Sequence, residues 1–172
     1  MDIETWKMIV WRQYGAAIDT LDDAIRACPD ELWRGRLWDG PAARPEFWYV
    51  AYHTIFWIDV YLYGTEIGFL PPPPFALIEQ DDEGPYPDRP YTKEELLAYL
   101  AACRRKCRTT IEALTDETAF RLCEFPWGEV TFVELMLYTM RHVQEHAAHL
   151  SLFLGQNRTS SPDWDWVARA RE

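Results

Sequence analysis

Apolar residues recur at helical spacing through most of the chain, with polar residues between them. Trp6, Ile9, Val10, Ala17, Leu21 and Ile25 share one face of a first helix predicted from about Asp2 or Thr5 to about Ala27, and Cys28-Pro29 ends it. A loop through Trp33, Trp38, Gly40 and Pro41 leads to Pro45, whose fixed φ suits the first turn of a second helix, with Gly64 as its stop after Tyr63. Tyr49, Val50, Phe56, Trp57 and Val60 form an apolar stripe on that helix, and His53 lies near its middle. Prolines at 71–74, 85, 87 and 90 and the acidic stretch Glu79–Glu83 make Thr65–Tyr91 a long, partly extended connection. It reads either as a crossover that lets the second and third helices run parallel or as a flexible insertion.

Two capping boxes mark the remaining long helices. Thr92-Lys93-Glu94-Glu95 opens a third, reaching Leu114 or Thr115, and Thr131-Phe132-Val133-Glu134 opens a fourth, ending at Gly155. Between them, Cys123–Val130 with Pro126-Trp127-Gly128 predicts a tight turn or short hairpin, and Ser161-Pro162-Asp163 predicts a short C-terminal helix carrying Trp164 and Trp166 against the bundle. The expected architecture is all-α, a four-helix bundle in a single domain over 1–172, with a core over 1–155 and an extension over 156–172.

The last long helix carries an unusual apolar face. At about 100° per residue, His142, His146 and His149 fall within a sector of about 60°, together with Leu135 and Phe153. Leucine is the ordinary occupant of such positions. A buried imidazole without a partner costs on the order of 1–3 kcal/mol, and several together repel when protonated, so packing alone carries several penalties that a bound cation removes at once. Imidazoles at i and i+4 converge on one ion, and His53 is the one histidine left to supply a third ligand. The alternative is a buried or pH-sensitive histidine cluster without metal.

Composition narrows the partners. A net charge of −11 argues against a nucleic-acid backbone, no apolar run approaches membrane-span length, and Asp2, Glu4, Lys7 and Arg12 occupy the place of a secretory peptide's apolar run. A cytoplasmic protein with reduced cysteines, acting on a small molecule and with a Trp-rich surface suited to a homodimer, is the expectation.

The motifs resemble one family. Ala51-Tyr52-His53-Thr54-Ile55-Phe56-Trp57, then Trp127-Gly128-Glu129-Val130-Thr131, then Arg141-His142 through His146-Ala147-Ala148-His149-Leu150 to Leu154-Gly155, look like the DinB/YfiT-like superfamily over most of residues 1–155. The resemblance implies a four-helix bundle holding a divalent ion, often nickel or zinc, on three histidines that correspond to His53, His142 and His146. Many members have glutamine where this chain has His149, which leaves that residue as a fourth ligand, a group behind the ligands or a general base.

The resemblance also implies activity: some relatives are transferases that activate a low-molecular-weight thiol at the metal, and others are described as metal-dependent hydrolases or damage-inducible proteins. In transfer, a thiol cosubstrate attacks an electrophile; in hydrolysis, His149 or Glu145 takes a proton from water. A non-catalytic, metal-stabilised bundle is the rival of another class. Tyr49, Trp57 and Tyr138 are candidates to line an apolar substrate pocket. His142-Val143-Gln144-Glu145-His146 also matches the inverted zincin pattern, but Glu172 is the sole glutamate after His146, too close to serve as the distant acidic ligand.

Overall fold

Four long helices, a short one and a two-stranded hairpin make up a mostly helical protein. A computed structural model describes residues 2–39, 44–80, 86–157 and 162–170. In chain order the elements are α1 (Ile3–Ala27), α2 (Phe47–Tyr63), α3 (Lys93–Glu112), α4 (Asp116–Ala119), β1 (Leu122–Phe125), β2 (Gly128–Thr131) and α5 (Phe132–Gln156).

Local chemistry sets the boundaries. Asp2 caps α1 by accepting from the Thr5 amide, and Thr92–Glu95 and Thr131–Glu134 form the two expected capping boxes. Gly64 closes α2 in the left-handed region at φ 91°, where a Cβ would be strained. The short helix α4 was not expected; Thr115 and Thr118 cap it reciprocally. The predicted turn or hairpin is an antiparallel hairpin pairing Leu122 with Thr131 and Phe125 with Gly128, and β2 runs directly into α5.

Because α2 is apolar on nearly every side, it is the most enclosed helix, as a helix without a polar face must be. It packs on α3 and α5, and α1 packs on the same two helices. Tyr91, just before α3, meets Trp48 and Tyr52 near the start of α2, whereas Lys106, late in α3, lies over Tyr63 at the end of α2. The two helices therefore run in the same direction, joined by the long connection. That connection is anchored: Phe69 and Phe75 are buried, and a 3-10 turn at Leu77–Gln80 lies against α2.

Three expectations are corrected. Pro45 lies before the helix rather than in its first turn, because the residues around it pair with the preceding loop. Leu37 donates to the Pro45 carbonyl at 2.9 Å, and the first α2 amides, Phe47 and Trp48, are satisfied by the Gly35 and Trp33 carbonyls at 2.9 and 3.1 Å. Glu79, expected in the acidic stretch of a partly extended connection, lies instead in a 3-10 turn and is buried; the rest of that stretch lies outside the described residues except Gln80.

The C-terminal segment is a non-helical strap along α1. Its backbone is held from outside: the Ala168 amide donates to the Arg12 carbonyl at 2.8 Å and the Arg169 amide to the Asp19 carboxylate at 2.7 Å. Gly15 makes this approach possible, since a Cβ there would come within 2.5 Å of the Ala168 Cβ. Trp164 and Trp166 point to solvent, 73% and 76% exposed. Ser161, the expected cap, lies outside the described residues.

Charged residues join the helices below their apolar faces. Asp19 of α1 is fully buried and accepts from Arg104 of α3 at 2.8 and 3.1 Å, and Asp59 of α2 accepts from Tyr99 and Lys106 at 2.9 and 2.6 Å. The four cysteines are buried and unpaired, and burial pushes their thiols above the usual range, Cys28 up to about 12. Among the described residues no helix is long and apolar enough to cross a membrane.

Candidate metal centre

The single polar side chain in the middle of the α2 stripe, His53, is only partly covered, and α5 brings His142 and His146 to it one turn apart. One nitrogen from each of the three rings lies within 4.8 Å of the others. Ring centroids are 5.1 Å apart for His53 and His142, 5.0 Å for His53 and His146, and 4.5 Å for His142 and His146.

Their environment keeps the α5 pair neutral. Burial, then the charges of His53 and His146, pushes His142 down to about 2; burial, then His53 and His149, pushes His146 down to about 3, with Glu79 opposing. Both are therefore neutral imidazoles at physiological pH, the state a metal requires.

Glu79 completes the arrangement from the long connection. Its Oε2 stands 2.5 Å from His53 Nδ1 and 3.3 Å from Trp57 Nε1. Burial alone would raise this carboxyl, but the bond to His53 and the attraction to it win, and Glu79 is held below the usual range. As a carboxylate it accepts from Nδ1–H, which fixes the His53 tautomer and turns its Nε2 lone pair toward the cluster.

The residues fit a metal. His53 Nε2 faces His142 Nε2 at 3.1 Å, and the Nδ1 atoms of His142 and His146 are buried without a hydrogen-bond partner. Three imidazoles, one braced by a carboxylate, form a donor set suited to zinc, nickel, copper or iron, and a cation among them removes the penalty of nitrogen facing nitrogen. Among the described residues, the group able to hold an ion consists of these three side chains.

The cluster opens into a cavity of about 470 Å³. Tyr49, Trp57 and Tyr138, expected as lining, all line it, joined by Trp38, Tyr61 and Arg44. His149 is exposed, with its ring 5.7 Å from His146 and edge-on to Trp38 at 6.1 Å; Glu145 is exposed on α5. The structure brings neither into the three-residue group.

Sequence reasoning missed Glu79 and Arg44. The available signal for Glu79 was its place directly after Phe75, Leu77 and Ile78, a stretch too apolar for a solvated acidic run. For Arg44 there was no periodic signal, since it stands in a loop.

Comparison with known proteins agrees with the fold. A crystal structure of a DinB-like protein from Bacillus subtilis shares the fold, with a TM-score of 0.58 at 12% identity over 89% of this chain and 95% of that one. No curated protein matches the sequence. A family model for the DinB superfamily matches residues 13–150, a span that contains all three clustered histidines and Glu79. The chain belongs to the DinB superfamily.

Proposed function

We propose that the protein is a metal-dependent transferase that joins a low-molecular-weight thiol to an electrophilic small molecule, built on four long helices arranged as the family's bundle. The observation that carries this reading is the position of the cluster: three imidazoles at the wall of a cavity, with no fourth side chain closing the group among the described residues. A structural site is closed by four protein ligands, whereas a catalytic one keeps a position for substrate.

His53, His142 and His146 would hold the ion, which the family resemblance makes nickel or zinc. A divalent ion there supplies Lewis acidity that favours the deprotonated form of a thiol or a water molecule. The chain does the rest. Glu79 keeps the His53 lone pair aimed at the cluster through its 2.5 Å bond. Trp38, Trp57, Tyr61 and Tyr138 exclude water and receive an apolar electrophile. His149, beside His146 and open to solvent, is assigned proton exchange with bulk water, and Glu145, exposed one turn earlier on α5, stands on the solvent side of that route.

Elemental analysis of tag-free protein purified without chelators tests the metal, with His142→Ala/His146→Ala as control. About one ion per chain in the parent and none in the variant is expected. Loaded protein is then assayed for thiol loss with a set of small thiols and a chloroarene electrophile. Metal binding without any thiol consumption refutes the transferase assignment, and turnover of ester substrates instead points to the hydrolase.

A further inference from the structure

The tip of the hairpin carries a side chain that the hairpin itself does not explain. Short turns between paired strands are ordinarily made of small or polar residues, yet Pro126 and Trp127 form this one, and Trp127 is left 46% exposed. The hairpin is already anchored without it, because Cys123 and Phe125 are buried against the bundle. Gly128 follows at φ 148°, a conformation that side chains disfavour, and the turn it permits lays the indole on neighbouring rings. Trp127 stacks on Tyr138 of α5 with centroids 5.0 Å apart and planes 26° apart, and on Phe125 at 5.4 Å with planes 5° apart.

Tyr138 connects this stack to the cavity. It lines the cavity one turn before His142 and is 38% exposed, so it stands at the rim, with solvent on one side and the cavity on the other. A tyrosine in that position on a helix surface is free to turn out into water unless something holds its ring. Trp127 does so from the hairpin. Behind it, Tyr61 meets Tyr138 edge-on at 5.5 Å and Phe125 edge-on at 5.1 Å, and lies 5.1 Å from Trp57, whose ring is edge-on to His53 at 6.5 Å. Trp57, Tyr61 and Tyr138 thus form a continuous aromatic wall from the histidine cluster to the rim. The hairpin rings brace its outer end, and among the described residues neither Phe125 nor Trp127 lines the cavity itself.

We infer that Trp127 is a positioning residue of this site: it holds the Tyr138 ring at the rim, and the wall fixed in this way receives the flat apolar part of an aromatic electrophile. The inference rests on the reading of the cavity as the reacting site and names a determinant of what it accepts. A ring immobilised beforehand loses less freedom when a second ring stacks on it, so the brace is read as affinity for an aromatic ligand. Because Trp127 stands outside the cavity, its effect has to pass through Tyr138.

The test titrates 2-naphthalenemethanol, a neutral bicyclic alcohol and a weak metal ligand, calorimetrically into the zinc-loaded protein and into the same protein after zinc removal. Trp127→Leu keeps an apolar group at the turn without a face to stack, and it should weaken binding about three- to tenfold in both forms; Trp127→Phe, which restores a ring, should come within about twofold of the parent. The deciding arm is a cycle with Tyr138→Ala. That variant binds the probe more weakly on its own, and adding Trp127→Leu to it should change affinity by less than about twofold. A purely structural role for Trp127 predicts the opposite, an equal loss with and without the Tyr138 ring. That result, an unchanged affinity in Trp127→Leu, a failure of Trp127→Phe to restore binding, or no binding by the parent overturns the inference. Failure of the metal reading is separate: it shows as absence of zinc from the parent, with the effect of Trp127 on the metal-free protein still measurable.

Discussion

Holding His142 and His146 neutral should make the metal-free protein unusually sensitive to mild acid. In the unfolded chain each imidazole titrates near 6.5, whereas the fold pushes them down to about 2 and about 3. Between those values the unfolded chain takes up a proton that the folded chain refuses. Unfolding therefore becomes easier as pH falls: stability is highest above about 6.5 and declines below it. Each imidazole contributes about 1.4 kcal/mol per pH unit across the window, so the pair accounts for about 5 kcal/mol lost at pH 4.5, a large share of the 5–15 kcal/mol typical of a domain. Carboxylates held low, Glu79 among them, add a smaller loss near pH 4.5, which a variant lacking the two imidazoles reports separately. Urea unfolding of chelator-treated protein at pH 7.0, 5.5 and 4.5 measures the slope, with His142→Leu/His146→Leu as the reference that cannot take up the protons. The parent should fall steeply while the double variant stays nearly level. Parallel curves for the two proteins would refute the assignment of neutral, desolvated imidazoles.

Other perturbations reach separate parts of the structure. Glu79→Ala should weaken zinc binding by about 10–100-fold in a chelator competition, because His53 loses the partner that fixes its tautomer; Glu79→Gln, whose amide oxygen can still accept from Nδ1–H, should recover part of it, and unchanged affinity in both removes Glu79 from the centre. Asp19→Ala leaves the mostly buried Arg104 without its carboxylate and should cost about 3–5 kcal/mol in urea unfolding at pH 7, where a loss under about 1 kcal/mol would mean the pair is not buried as described. Gly15→Val should dislodge the strap by colliding with Ala168 and speed tryptic cleavage after Arg169 by about tenfold or more, read by mass spectrometry; an unchanged rate would place the strap elsewhere.

How much of this was legible in the sequence depends on how far apart the determining atoms lie along the chain. Caps at Thr92 and Thr131 were legible because donor and acceptor are three residues apart. His142 and His146 were legible as a pair because helical geometry alone puts i and i+4 on one face, and the remaining histidine sat on another apolar stripe. The strap shows the opposite case. Ser161-Pro162-Asp163 has the chemistry of a helix start, yet a segment this short is marginal as a helix, and backbone bonds to Arg12 and Asp19 some 150 residues away decide its path instead.

Of the residues that escaped the sequence reading, Tyr61 lies on α2 but Arg44, Glu79 and Trp38 come from connections, whereas every imidazole of the cluster comes from a helix. The division has a physical basis. Three ring nitrogens must be held within a few ångströms of one another, and rigid helices packed through α2 and α5 do this with the fewest freedoms. The charges that brace a ligand or meet a substrate need only reach the cavity, and a connection can deliver them without placing a charged residue on an otherwise buried helix face. Glu79 in the connection braces His53, and Arg44 before α2 is the one lysine or arginine among the described residues that line the cavity. Changes confined to these connections should therefore alter the cavity wall while leaving the three imidazoles in place, which makes His142 and His146 the direct handle on the metal.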